Sequence, residues 1–401
     1  MEPFLAIAEL LKHRGEDVCC LFPEQFRHLA EESGFDFETL DSKFMDLLNT
    51  KEGKAAMGGS SNFFVKALAM IKLAIKFKGV NKELVRRQQA VIDQVQPDRI
   101  VYHSKAVYPV IWSKSNPGKA IMVSPVPYLH YVPGHSHLGF KAVNMGTFLN
   151  RLSYKLADFG LIKTIQSSAK NTGNQLSGSE IKQIMSENTT LYSISPSLFA
   201  PSDSWNGNPK VVGFHERDKT VNWKPTPELE GFLSGHENVL FISFGSMINP
   251  QPERKTQILL DVLNRHQIPA VINTSSGGLV EPETYDSNRL HFVNQIPYDW
   301  IFKKVHAVIH HGGSGTTHMG LKHGLPTMII PHIIDQFVWN RLVEEIGAGP
   351  LGSDISYLGP KIETQILDLI SNSKYQENAK RIGSQMQAEN FQNVLYEEIV
   401  K

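Results

Sequence analysis

Short apolar runs alternate with longer amphipathic ones along almost the whole chain, and this alternation limits the fold more than any other feature. Val18 to Phe22, Ile100–Tyr102, Ala120–Val123 and Leu191–Ile194 read as buried strands. The spacing of apolar residues predicts helices at 4–14, about Phe63–Gln94 and Phe140–Ser168. Strands separated by helices pair in parallel, because an antiparallel pair needs only a short turn. From Ser195 to Asn238 the texture changes: Pro196, Pro201, Pro209, Pro225 and Pro227 surround Trp205-Asn206-Gly207-Asn208, with one short strand near Val211. The alternation then restarts with strands Val239–Phe244, Ala270–Asn273, Leu290–Val293, Ala307–His310 and Thr327–Ile330. Helices Pro252–Arg265, Gly315–His323 and Gln336–Gly347 fall among them. The expectation is an α/β protein of two doubly wound halves facing each other across a cleft. The first half takes 1–200, a connection takes 201–238 and the second half takes 239–375. Helices at 376–401 are expected to return to the first half. A length of 401 residues accommodates two or three cores.

The beginning is irregular. Phe4, Leu5, Ile7, Ala8 and Leu11 recur at helical spacing between Pro3 and Gly15, with no strand before them. A right-handed crossover joins strand to strand through its helix. Either the first strand lies outside this sequence or the half is built differently.

Charge excludes one function class. Lys plus Arg is 40 and Asp plus Glu is 40, so no basic surplus exists for a nucleic-acid backbone. The two cysteines, Cys19 and Cys20, are adjacent, which excludes a disulfide framework and fits a reducing, cytoplasmic setting. No apolar run reaches the length of a membrane span. Phe63–Arg87 is apolar with interspersed Lys66, Lys72, Lys76, Lys78, Lys82, Arg86 and Arg87. It reads either as a helix touching an anionic membrane surface or as a solvated helix packed on its own domain. Oligomeric state is not legible.

The segment His310-His311-Gly312-Gly313-Ser314-Gly315-Thr316-Thr317 follows a strand and opens a helix. Glycines permit tight turning, and free N–H groups at a helix start bind anions. With His311, Ser314, Thr316 and Thr317 as further donors, a diphosphate fits this turn without a metal. The other reading is a ligand-free glycine turn. The pattern G-x-x-x-x-G-K-[ST] is absent, G-x-G-x-x-G breaks at His318 and G-x-S-x-G breaks at Thr316. His310, His311, His318 and His323 include no H-E-x-x-H, so no metal site is read there. After the next strand, Pro331-His332-Ile333-Ile334-Asp335-Gln336 places an acid and an amide at a helix start. They suit sugar hydroxyls, or Asp335 simply caps the helix. Ser243-Phe244-Gly245-Ser246 is a strand end turning through glycine, at the edge where open α/β sheets place ligands.

Together these three segments resemble the inverting nucleotide-sugar glycosyltransferases of family one, which have the GT-B fold. The run PYDWIFKKVHAVIHHGGSGTTHMGLKHGLPTMIIPHIIDQFVWN, Pro297–Asn340, is most similar to the sterol glucosyltransferase branch and its bacterial macrolide-type relatives. EPFLAIAELLKHRG, FPEQFRHLAEESGF and VYHSKA extend a weaker resemblance through the first half. The resemblance implies a donor-binding set: His311 and the backbone at Gly313, Ser314, Gly315 and Thr316 for the diphosphate, Ser246 near phosphate or ribose, and Asp335 with Gln336 on the sugar. Plant members carry a uracil-stacking Trp eighteen residues before the motif histidine, where this sequence has Val293 beside Phe292. Gln336 resembles glucose users more than galactose users. The family's first strand ends in Gly-Asp-Val/Thr-Glu-Pro, and Met1-Glu2-Pro3 matches only its tail, so the base is expected just upstream of Met1. One hypothesis is a misassigned start codon, which the upstream genomic frame would test. Among the residues present, His103 is the candidate base or its helper, or else fixes a turn. Ser104, Lys105, Tyr128 and Tyr131 are the candidate acceptor contacts; the two tyrosines equally suit a core.

The implied activity is transfer of a hexose, glucose favoured, from a nucleoside diphosphate sugar to a hydroxyl of an apolar small molecule or lipid, with the sugar nucleotide as co-substrate and no cofactor. The alternatives are a sugar-nucleotide-binding protein with impaired chemistry and a sugar-nucleotide epimerase.

Overall fold

The computed structural model describes residues 1–40, 50, 63–217, 223–245, 247, 249, 251–275 and 277–401; for 63–75, 77 and 78 only the backbone is described. The described residues fall into two compact units. The first lies within Met1–Gly53, Met70–Arg217 and Asn390–Lys401, the second within Lys54–Ala69 and Asp218–Glu389.

In the first unit α1 (Glu2–His13) leads to β1 (Cys19–Pro23), α2 (Arg27–Glu32) and β2 (Asp36–Leu40). After α3 (Phe63–Val95) come β3 (Ile100–His103), α4 (Tyr108–Trp112) and β4 (Ala120–Ser124). Then follow α5 (Thr147–Asn171), α6 (Gly178–Glu187), β5 (Thr190–Tyr192) and β6 (Pro209–Val211). Two separate parallel sheets result, β1-β2 and β3-β4-β5-β6. Helix α1 serves both. Its Ile7 and Leu11 join Ile121, Val123, Leu191 and Val212 of the larger sheet's core, while Leu5 and Ala8 join Cys20, Ala30 and Phe35. Its apolar residues therefore occupy two faces, wider than the single stripe of a surface helix.

The second unit holds α7 (Pro227–Gly235), β7 (Leu240–Ser243), α8 (Pro252–Arg265), β8 (Ala270–Asn273) and β9 (Leu290–Val293). It continues through α9 (Tyr298–Ile301), β10 (Ala307–His310), α10 (Ser314–Lys322), β11 (Thr327–Ile329) and α11 (Ile334–Glu345). Helices α12 (Ile362–Ser371), α13 (Ser373–Ala388) and α14 (Gln392–Val400) end the chain. The sheet runs β11-β10-β7-β8-β9, all parallel. Strands β7, β8 and β10 are buried at every position, as expected of strands covered on both faces. The register aligns the strand ends: Ile329, His310, Ser243, Asn273 and Val293 form one row across the sheet. The segments beyond that row carry the candidate site.

The connection expected at 201–238 is not one piece. Its β6 pairs with β5 and completes the first unit's sheet, and its α7 belongs to the second unit. Proline at the first position of β6 is tolerated because that strand is an edge. The expected C-terminal helices also divide. Gly383 of α13 lies against the Leu321 carbonyl, where a Cβ would come within 2.8 Å. Leu395 and Ile399 of α14 instead enter the first unit's core with Leu11 and Ile121.

Candidate functional site

Three segments beyond the strand ends converge on His311. Gly245, which follows β7, has φ +55°, and a Cβ there would stand 2.7 Å from Cε1 of the His311 ring. A Cβ at Gly313 would stand 2.6 Å from its Nε2. Glycine at both positions is a packing requirement, because only bare backbone fits on either side of the imidazole. Gly312, with φ +92°, lies so close to α11 that a Cβ would meet Ile329 at 2.6 Å and Gln336 at 3.1 Å.

The turn after β10 is shaped from within. His310 is fully buried, and its Nδ1 accepts the Gly312 N–H at 2.9 Å. The Thr317 hydroxyl donates to the Gly313 carbonyl at 2.9 Å, and His318 Nδ1 donates to the Ser314 carbonyl at 2.7 Å. The Tyr298 hydroxyl is shared between Ser243 Oγ, at 3.1 Å, and the Thr316 side chain. Thr317 and Thr316 thus spend their hydroxyls on the fold and do not add donors for a ligand.

What remains unspent is backbone. Helix α10 has no side-chain cap and no acid in its first turn. The N–H groups of Ser314, Gly315 and Thr316 therefore lack intrahelical acceptors. Beside them His311 is 8% exposed, and its Nδ1 is buried without a hydrogen-bond partner. Burial lowers the His311 pKa to about 4, against a weaker opposite pull from the Ser243 backbone, so the ring is neutral at physiological pH and carries one N–H. Uncapped amides, a positive helix end and an unpartnered buried nitrogen form a site for an anion.

The third segment is braced by Gln336. Its Oε1 accepts the N–H groups of His332, at 2.7 Å, and Ile333, at 3.1 Å, and its Nε2 faces Met247 Sδ at 3.5 Å. Its carbonyl is committed to the loop, leaving only the amide nitrogen for a sugar. Asp335, half-buried in the first turn of α11, sits beside it. His332 stands edge-on to Phe244 at 5.1 Å, and its Nε2 is also buried and unpartnered. Burial, then the nearby His311, takes its pKa to about 3. Lys255 of α8 lies near enough to add to that effect; burial lowers its own pKa to about 8, against the pull of Asp354. Tyr298 and Lys255 were not among the expected site residues, and no local sequence pattern marks them; Gly245 and His332 stand in segments the sequence already singled out.

Val293 closes β9 at the same sheet edge, three strands from β10, or about 14 Å at the usual strand spacing. Beside it Phe292 packs edge-on to Tyr285 at 4.7 Å, both half-buried against the sheet's core. Ser246 lies outside the described residues. Among the described residues, no group of three or more His, Cys, Asp or Glu is placed to hold a metal.

The acceptor candidates belong to the first unit. At the end of β3, His103 Nδ1 accepts the Lys105 N–H at 3.1 Å. That bond uses the ring's only lone pair, so neutral His103 carries its proton on Nε2 and offers a donor. Burial, then Lys105, lowers its pKa to about 4, which disfavours a base further. Ser104 is half-buried and Lys105 exposed beside it. Tyr128, which suited a wall or a core, is 4% exposed, stacks on His135 at 4.5 Å and meets Phe199 edge-on at 5.1 Å, as a core residue does. Tyr131 remains half-buried, edge-on to Tyr154 at 5.5 Å. Sequence reading missed the rest of this aromatic cluster: Tyr192, whose hydroxyl meets His130 Nδ1 at 2.8 Å, and Trp205, stacked on Tyr192 at 5.2 Å. Glu2 is taken by Arg217, whose fork reaches both its oxygens at 3.2 and 3.3 Å. Over most of Phe63–Arg87 the side chains lie outside the described residues.

Residues 283–400, which include the glycine turn and Asp335-Gln336, match the family model of the erythromycin biosynthesis protein CIII-like C-terminal domain. A sterol 3-beta-glucosyltransferase of Arabidopsis thaliana is 30% identical over 256 residues, covering 60% of this chain and 38% of the relative. The chain thus spans well under half of that relative's length. The calicheamicin glycosyltransferase CalG4 superposes with a TM-score of 0.68 at 16% identity, covering 99% of this chain and 93% of its own. The glycosyltransferase VinC, solved with dTDP, gives 0.64 at 15% identity, covering 99% and 95%. With the parallel sheets in two units, the structural likenesses show the GT-B glycosyltransferase fold, and the second unit is similar in sequence to glycosyltransferases of the erythromycin CIII-like and sterol 3-beta-glucosyltransferase kinds.

Proposed function

We propose that the chain transfers a hexose from a nucleoside diphosphate sugar to a hydroxyl of an apolar acceptor, with inversion at the anomeric carbon. The observation that carries this reading is the unpartnered Nδ1 of His311 beside the uncapped start of α10. A buried polar atom without a partner is costly, and a diphosphate oxygen satisfies it together with the free amides. As the bond to the sugar breaks, negative charge grows on the departing diphosphate. The amides of Ser314, Gly315 and Thr316 and the His311 N–H meet that charge without reorganising. Asp335 and the Gln336 amide orient the sugar. The Arabidopsis relative's name supports glucose and a sterol-like hydroxyl, and the dTDP in VinC supports a nucleoside diphosphate. Calorimetry with UDP-glucose and TDP-glucose, followed by mass detection of products across sterol, polyphenol, macrolide and carotenoid acceptors, tests the reading. Donor binding with a glycosylated product is expected; failure to bind either sugar nucleotide would overturn it.

A second reading is donor binding without transfer. It is favoured by the engagement of His103, the candidate base among the residues present, whose Nδ1 accepts the Lys105 N–H. Donor affinity with no product from any acceptor is its signature.

A further inference from the structure

Helix α5 buries one face and leaves an apolar face bare. Asn150, Ser153, Tyr154, Ile165, Ser168 and Ala169 point inward. On the other side Phe148 is 77% exposed, Phe159 61%, Leu156 52% and Leu149 48%, with Leu152 between them. At 3.6 residues per turn these five side chains fall within about 100° of the helix circumference. Seven of the twelve large apolar side chains exposed among the described residues lie from Phe140 to Phe159, so the face is a cluster and not scatter. The charge on its rim is one-sided. Along residues 141–163 the exposed Lys141, Arg151, Lys155 and Lys163 stand against the single carboxylate of Asp158, in a chain whose cations and carboxylates balance. Lys163 lies over the Phe159 ring at 5.5 Å and Arg151 over Tyr131 at 5.4 Å, each keeping its charge beside apolar surface.

We propose that this face docks the protein on an anionic lipid bilayer. The apolar side chains enter the boundary between headgroups and acyl chains, and the four cations meet lipid phosphates. A second copy fits less well, because a self-complementary contact would set the same cations against each other. The helix that carries this face also borders the candidate acceptor cluster, through Arg151 over Tyr131 on its exposed side and through Tyr154 on its buried side. Tyr154, on the buried side of α5, meets Tyr131 at 5.5 Å and His137 at 5.4 Å. Docking would therefore bring the acceptor end of the first unit to where an apolar acceptor resides. The docking face goes beyond the transfer reading and does not depend on it.

Flotation of the full chain, without donor, on vesicles of phosphatidylcholine alone or with phosphatidylglycerol tests the proposal. Binding is expected only with phosphatidylglycerol, weakening as salt rises. Phe148→Ser with Phe159→Ser, and separately Lys155→Glu with Lys163→Glu, should each lower it at least about tenfold. Melting temperature and UDP-glucose affinity of the variants serve as folding controls and are expected to be unchanged. Wild-type chain that stays off phosphatidylglycerol vesicles, or variants that float as well as wild type, would overturn the proposal. So would self-association, or a stable protein complex, that the Phe148/Phe159 variant abolishes while vesicles bind nothing. Sugar-nucleotide binding is read separately, so loss of docking and loss of the transfer reading are distinguishable.

Discussion

At the scale of single residues, His311 is held by what its neighbours lack. Glycine at 245 and 313 lets two backbones approach its ring, and burial keeps it neutral, so it serves as one hydrogen-bond donor and not as a cation. His311→Ala should weaken sugar-nucleotide binding about tenfold or more by calorimetry, the range for a hydrogen bond to a charged group. Unchanged affinity would move the diphosphate elsewhere. His103 carries the opposite lesson. Its position at a strand end suggested a base, but its lone pair is committed to the Lys105 N–H. His103→Gln, which still donates, is expected to retain transfer to within a few-fold; a fall of about 10²–10⁴ would restore the base role. The motif histidine was legible because glycines and a strand-to-helix turn surround it in sequence. Tyr128 suited a wall and a core equally in sequence, because aromatic residues in a loop look alike until burial separates the two, and it is buried.

At the scale of elements, α10 is a helix whose start is left open. An acid in its first turn would oppose the positive end of the helix dipole and stabilise the helix while repelling a diphosphate. Ser314→Asp is expected to leave stability unchanged or raise it by about 0.3–1 kcal/mol, while sugar-nucleotide affinity falls about tenfold or more. Thermal melting and calorimetry on the same sample read the two signs. A merely structural turn would show the first effect without the second. Helix α1 depends on Arg217, 10% exposed, which reaches Glu2, Glu9 and Ser33 at once. Arg217→Met leaves two partly buried carboxylates without their cation and should cost about 1–3 kcal/mol in urea unfolding. Most second-unit elements were legible because each is a short apolar run bounded by turn residues. Strand β2 was missed. Asp-Phe-Glu-Thr-Leu is short and half polar, and its pairing with β1 is a long-range fact.

At the scale of the whole molecule, buried histidines set the response to acid. His103, His130, His137, His311 and His318 titrate near 4 and His332 near 3, all lowered mainly by burial from an ordinary value of 6.5. Between those values the unfolded chain binds more protons than the folded one, so stability rises with pH through this window. The stabilisation is complete above about 6.5 and is lost as pH falls toward 4, by about 1–2 kcal/mol per buried ring at pH 5. Melting temperature followed from pH 7.5 to 5 should drop steeply below 6.5; a flat profile would mean these rings are solvated. Local pattern was enough to determine the α/β class, the parallel pairing and the glycine turn, because strand length, helix period and turn chemistry are written within a few residues. The tertiary structure alone decided which donors stay free. Whether Thr316, Gln336 or His103 faces a ligand depends on Tyr298, the His332 amide and the Lys105 amide, and a hydrogen bond can be assigned only once both partners have a place.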